Sequence, residues 1–145
     1  MTELVRYERR DSLALITLDD GKANALSPAV VAAANAAFDR AEAEAVSAVV
    51  LSGRAGRFSA GFDLSVMTAG LEALFSLVKS GAELALRLYL FPRPVVIACT
   101  GHALAAGAVL LCAADRRIGT AGEFKIGLNE VAIQLPLPVF ALELA

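Results

Sequence analysis

The sequence predicts an α/β fold, a parallel or mixed sheet whose strands are joined by helical crossovers. Three observations predict it. Short apolar runs that read as strands alternate along the chain with alanine- and leucine-rich runs of helical spacing. Two glycine-centred turns, Phe58-Ser59-Ala60-Gly61-Phe62-Asp63-Leu64 and Gly101-His102-Ala103-Leu104-Ala105-Ala106-Gly107, each lie between a strand-like run and a helix-like run. The chain's 145 residues fit one domain, residues 1–145, with a core that needs neither disulfides nor a metal.

Leu13 to Leu18 is an apolar strand that enters a turn at Asp19-Asp20-Gly21, and Leu4 to Tyr7 is its expected hairpin partner. Ser27-Pro28 supplies an N-cap and a favoured first helical residue. The alanine-rich segment to Ala45 follows as a helix with Val30, Val31, Ala34 and Phe38 inward. Ala48 to Ser52 is a buried strand leading through Gly53, Arg54, Ala55 and Gly56 into the first glycine turn. From Leu71 the apolar residues Leu74, Phe75, Val78, Ala82, Leu86 and Tyr89 keep helical spacing until Phe91-Pro92-Arg93-Pro94 stops the helix, and Gly81 weakens its middle. Val95 to Thr100 is the next strand, Ala106 to Ala114 the helix after the second turn, and Arg116 to Gly119 a further short strand. The last segment, Val139 to Ala145, is apolar and helix-forming without a capping glycine. It reads as an interrupted helix that needs a covering surface.

Composition narrows the function. A formal net charge of −2 with no basic cluster lacks the positive surface that nucleic acid requires. The apolar content is 57%, and Val95 to Ala114 is about as long as a bilayer span. Gly101, His102, Gly107 and the β-branched Val95-Val96-Ile97 divide that stretch into buried strand, turn and buried helix, so no membrane partner is expected. The charged N-terminus has no signal-peptide core, and Cys99 and Cys112 sit in apolar runs without metal or redox spacing, so a reducing, cytoplasmic location is expected.

Two glycine turns can aim backbone N–H groups at one oxygen, the requirement for stabilising charge that develops on a carbonyl. The same turns also read as plain tight connections in a compact core. Glu130 follows the second turn, beside Leu128, Val131 and Ile133. A carboxyl in apolar surroundings favours its protonated form and can shuttle a proton, whereas at a solvated helix start it does neither. Asp63 and Asp115 fit a cap and a backbone acceptor better than a base. His102, the only histidine, has no nucleophile or ligand cluster near it in sequence and reads as structural. Arg54 and Arg57 could meet phosphate or belong to a solvated loop.

At Asn24-Ala25-Leu26-Ser27, Arg57 to Leu64, Gly101 to Asp115 and Asn129-Glu130-Val131 the chain resembles the crotonase superfamily, the enoyl-CoA hydratases and isomerases, in order and spacing over nearly its whole length. The resemblance implies a spiral of repeated ββα units, a bent acyl-CoA and a thioester oxygen held by two backbone amides, which fall here at Phe62 and Ala106. It places Lys22, Ala23, Ala25 and Leu26 along the CoA, with Ala60, Asp63 and Leu64 around its adenine and pantetheine. Gly61, Gly107 and Val109 are expected in the same substrate site. Family members are longer, and their C-terminal helical region, absent here, completes the acyl pocket and the trimer interface. A homo-oligomer, a trimer or a dimer of trimers, is thereby implied for a full-length chain.

Two departures stand out. Ala105 and Ala106 replace glycines common at the second turn. Val109 occupies the place of one of the two glutamates of the hydratases, while Glu130 matches the other. The implied activity is acyl-CoA chemistry of fatty-acid metabolism with an enolate held by an oxyanion hole and a single glutamate moving the proton. Isomerisation is favoured over hydration, a lyase reaction. Coenzyme A is expected as part of the substrate, with no separate cofactor and no metal. The alternatives are a noncatalytic acyl-CoA-binding or assembly subunit, and an inactive fragment of a longer enzyme.

Overall fold

The first hairpin sets the sheet. In the computed structural model, which describes residues 3–130, 132 and 134–145, β1 (Val5–Arg10) pairs antiparallel with β2 (Leu13–Leu18), from Val5 opposite Leu18 to Arg10 opposite Leu13. The two-residue connection begins at Asp11, whose φ of 53° suits a tight hairpin turn. Alternation along β2 buries Ala14, Ile16 and Leu18. The partner strand is longer than the expected Leu4–Tyr7 because cross-strand pairing draws the charged Glu8, Arg9 and Arg10 into register without burying them.

β3 (Ala25–Leu26) leads to α1 (Pro28–Ala43), where the Val30 N–H donates to the Ser27 Oγ at 3.2 Å and Val30, Val31, Ala34 and Phe38 face the core as the spacing predicts. There follow β4 (Ala48–Gly53), β5 (Gly56–Ser59), β6 (Gly61–Phe62), the short α2 (Leu64–Met67) and the long α3 (Leu71–Leu90). Then come β7 (Val95–Cys99), β8 (Gly101–Leu104), α4 (Ala106–Ala113), β9 (Arg116–Gly119), β10 (Ile126–Gly127) and α5 (Val139–Leu144).

The large sheet has the order β1-β2-β4-β7-β9, parallel except at the first hairpin. A parallel three-stranded sheet, β10-β8-β5, and the parallel pair β3-β6 accompany it. Successive passes place β4, β7 and β9 in the large sheet, each followed by β5, β8 or β10 in the small one. Helices α3 and α4 close the first two passes. The result is a spiral of ββα turns, and the supposed turn segments at Phe58–Leu64 and Gly101–Gly107 are largely extended, as β5, β6 and β8. Runs of two to four residues with glycines carry too little alternation to announce a strand; their partners come from distant segments.

The segment Val95 to Ala114 is the predicted strand and helix, β7 and α4, with β8 between them, and among the described residues no helix is long and apolar enough to cross a membrane. α3 differs from expectation. It buries Leu77, Gly81, Leu84, Ala85 and Leu88 against the core, while Phe75, Leu86 and Tyr89 are exposed. The helix carries more apolar residues than one stripe can bury, and its packing on α1 and α4 selects which stripe turns inward. At the chain's end, α5 buries Ala141 and packs Phe140 and Leu144 on the core, leaving Val139 and Leu142 exposed, so one face of this helix is covered.

Candidate active site

The first glycine turn is pinned from inside. Asn24, 1% exposed, donates from Nδ2 to the carbonyls of Leu18 at 2.9 Å and of Arg57 and Phe58 at 3.2 Å, and its Oδ1 accepts from the Asp20 N–H. Ser59 Oγ donates to the Asn24 carbonyl at 2.7 Å and accepts the Gly61 N–H at 3.2 Å. The Ala60 N–H goes to the Ala23 carbonyl and the Asp63 N–H to the Leu26 carbonyl. Phe62, opposite Leu26 in the parallel β3–β6 pair, also lines an apolar cavity.

The second turn lies directly against the first. A Cβ added at Gly61 would be 2.8 Å from the Ala105 methyl and 3.1 Å from the Ala106 nitrogen, and one at Gly107 would be 2.6 Å from the Ser59 carbonyl oxygen. These close approaches need the glycines at both positions. Ala105 precedes α4 with φ 51° and ψ −126°, a conformation that glycine favours. Its N–H is taken by the Gly127 carbonyl, and its own carbonyl accepts the Ala108 and Val109 N–H groups. Among the described residues the Ala106 and Gly107 N–H groups, in the first turn at the positive end of α4, have no backbone partner.

An apolar cavity of about 370 Å³ joins these elements. Ala60, Phe62, Ala105, Ala106, Val109, Asn129 and Glu130 line one part of it. Leu64, Met67, Leu74, Phe75 and Val78 line a second part, and the segment from Leu135 to Pro138 with Phe140 and Ala141 a third. Glu130 is 8% exposed, and its Oε2 and the Asn129 Oδ1 are buried with no hydrogen-bond partner among the described residues. Of the apolar neighbours expected for Glu130, Leu128 is partly exposed at 37%, while Val131 and Ile133 lie outside the described residues. The apolar surroundings come instead from α2, α3 and α5. A carboxyl group facing such a cavity is placed to exchange a proton with a bound molecule.

The proposed CoA contacts divide. Ala60 and Leu64 line the main cavity, and Ala23 and Ala60 also line a second one of about 230 Å³ with Arg57, His102, Leu104 and Lys125. Lys22 is exposed on the Asp20 loop, its carbonyl accepting from Arg54 at 2.9 Å. Ala25 is half-buried in β3. Leu26 is 1% exposed and its side chain belongs to the core. Asp63 caps α2: its Oδ1 accepts from the Ser65 hydroxyl at 2.6 Å and the Ser65 N–H at 2.9 Å, which holds its carboxyl below the usual carboxylate range. Asp115 accepts the Val95 N–H at 2.7 Å, a backbone role as expected. His102 Nδ1 accepts the Lys125 N–H at 2.9 Å and its ring stacks edge-on with Phe124, a structural position beside the second cavity. Among the described residues no group of three or more His, Cys, Asp or Glu could hold a metal ion.

Ser59, Gly81 and Asn129 stand in the segments the sequence singles out without being marked there as site residues. Ser59 stands inside the first turn motif, where a serine two residues before a glycine can accept its N–H. Asn129 directly precedes Glu130. Gly81 had only the signal of a glycine inside a helix.

The family model for enoyl-CoA hydratase/isomerase matches residues 8–138. A probable enoyl-CoA hydratase of Bacillus subtilis is 33% identical over 132 residues, covering 89% of this chain and 50% of the relative. Among solved structures, an enoyl-CoA hydratase/isomerase family protein from Pseudomonas syringae is 48% identical with a TM-score of 0.95, covering 97% of this chain and 61% of that one. A Mycobacterium tuberculosis protein described both as an enoyl-CoA isomerase and as a probable enoyl-CoA hydratase is 47% identical with a TM-score of 0.94, covering 99% of this chain and 62% of that one. The chain therefore spans about half the length of the Bacillus subtilis relative and about three fifths of these solved chains. A ββα spiral of this shape, bearing these turn motifs over nearly its whole length, belongs to the enoyl-CoA hydratase/isomerase family.

Proposed function

We propose that the chain binds an acyl-CoA thioester and moves a double bond in its acyl group. The observation that carries this reading is the shared cavity, in which a buried carboxyl, one oxygen of it without a hydrogen-bond partner among the described residues, meets the two turns bearing the Phe62 and Ala106 amides. The thioester oxygen accepts hydrogen bonds from both amides. Glu130 removes the α proton, the C–H electron pair enters the conjugated enolate, and the negative charge settles on the oxygen beside the α4 N-terminus. Return of the same proton at the γ carbon shifts the double bond with no net change in atoms or electrons. Adding water calls for a second carboxylate, and Val109, 2% exposed, lines the cavity where hydratases carry one. Isomerisation is the reading this favours, and the missing carboxylate equally motivates the second reading of a noncatalytic acyl-CoA-binding subunit.

CoA is part of the substrate here, and no further cofactor enters the reaction. The exposed apolar residues of α3, among them Leu71, Tyr89 and Leu90, suit assembly as a homo-oligomer such as a trimer. Cys99 and Cys112, both free, fit a reducing cytoplasm.

The test is Glu130→Gln, assayed with a 3-enoyl-CoA for turnover and with a saturated acyl-CoA for binding. The amide keeps the shape but cannot accept the proton, so turnover should fall by about 100-fold or more with Kd within about threefold. A variant that keeps more than about a tenth of parental turnover refutes the role of Glu130. A parental chain that binds tightly but turns nothing over supports the binding subunit.

A further inference from the structure

A glycine in the interior of a long helix costs helix stability and asks for a reason. Gly81 stands in the interior of α3, is buried, and is not among the residues with positive φ, so conformational freedom does not explain it. Space does. A Cβ added at Gly81 would lie on the edge of the Phe62 ring, 2.5 Å from Cζ and closer still to Cε1. The ring therefore rests on bare helix backbone. Phe62 itself sits in β6, a strand of two residues paired with β3 and held at its flanks by the Ala60, Gly61 and Asp63 amides, and its ring packs on the core.

We infer that Gly81 is a positioning residue for the Phe62 amide: the notch it leaves in α3 seats the aromatic ring, and the seated ring fixes the direction of the N–H into the cavity. The inference rests on the proposed role of that N–H toward the thioester. A methyl group at position 81 meets the far end of the ring, which must swing, and the two-residue strand that carries it yields more readily than the long, well-packed helix. A leucine at position 62 leaves the notch half empty and frees the same strand. Each change alone therefore disturbs the amide, while the two together refit, because the new methyl fills the space the ring vacates.

The experiment is a double-mutant cycle on the whole 15N-labelled chain, with octanoyl-CoA as probe and the amide resonances of residues 62 and 106 as readouts. In the parental protein both amides should shift on addition of octanoyl-CoA. In Gly81→Ala and in Phe62→Leu the residue-62 response should fall at least about threefold while that of Ala106 is kept, and the double variant should recover most of it. Where the family substrate is turned over, kcat should follow the same pattern with KM within about threefold. A Gly81→Ala protein with an undiminished residue-62 response overturns the inference and leaves the proposed function standing. So does a double variant no better than the worse single one. If Gly81→Ala does not fold, Phe62→Leu against the double variant still decides, since equal responses in the two overturn it. If neither amide of the parental protein responds, the proposed function falls, and this inference with it.

Discussion

Ala105 offers a test that separates the stability of the second turn from its chemistry. Its φ of 51° and ψ of −126° correspond to the first central residue of a type II′ turn, where a Cβ is disfavoured. A non-glycine residue in such a region costs on the order of 1–3 kcal/mol. Ala105→Gly removes that strain. Against it stand the greater freedom of glycine in the unfolded chain, about 0.4–1 kcal/mol, and a half-buried methyl that rests on Gly61, about 0.4 kcal/mol. The net expectation is a gain of about 1 kcal/mol, or a rise of about 3 °C in Tm for a chain of this size. The assay is urea unfolding followed by circular dichroism, with the m-value checked to be unchanged. The Ala106 N–H is retained, so binding of octanoyl-CoA should change by less than about threefold. A variant less stable than the parent by more than about 0.5 kcal/mol would show that the methyl contact outweighs the strain, and the account of this turn would be wrong.

Phe62→Pro should lower turnover at least about tenfold below Phe62→Ala, since the proline lacks the N–H proposed to hold the thioester oxygen; equal losses in two folded variants would assign the effect to the side chain. Val109→Glu should raise the ratio of 3-hydroxyacyl to isomerised product from one enoyl-CoA, measured by chromatography after circular dichroism shows that the buried carboxylate is tolerated. An unchanged ratio in a folded, active variant would remove Val109 from the substrate's reach. Asn24→Ala should cost about 3 kcal/mol in urea unfolding, because it strands the carbonyls that Nδ2 serves and puts alanine at a φ of 54°. A loss under about 1 kcal/mol would mean that water replaces those bonds.

The sequence by itself determined the alternation of strands and helices, the capped start of α1 at Ser27-Pro28, the split of the apolar stretch at Gly101, and the motifs that carry the family resemblance. These are local signals. Caps, periodicity and glycine turns act over a few residues and survive being read one segment at a time. Glu130 was legible as a candidate through its place after the second turn, and Asp63 as a cap through its place at the start of the segment after the first turn, where it accepts the Ser65 N–H.

What only the tertiary structure decided are the relations between segments. β10, β6 and the extended parts of both turns exist because partners distant in sequence pair with them, and two residues alone give no alternation to read. The stripe of α3 that turns inward was chosen by α1 and α4 from an excess of apolar residues. The cavity around Glu130 is walled by α2, α3 and α5 rather than by its own sequence neighbours. Gly81 read as a weak point in a helix, and became a seat for Phe62 only when β6 was laid across it. Packing is a property of pairs of surfaces, and neither surface carries the information alone.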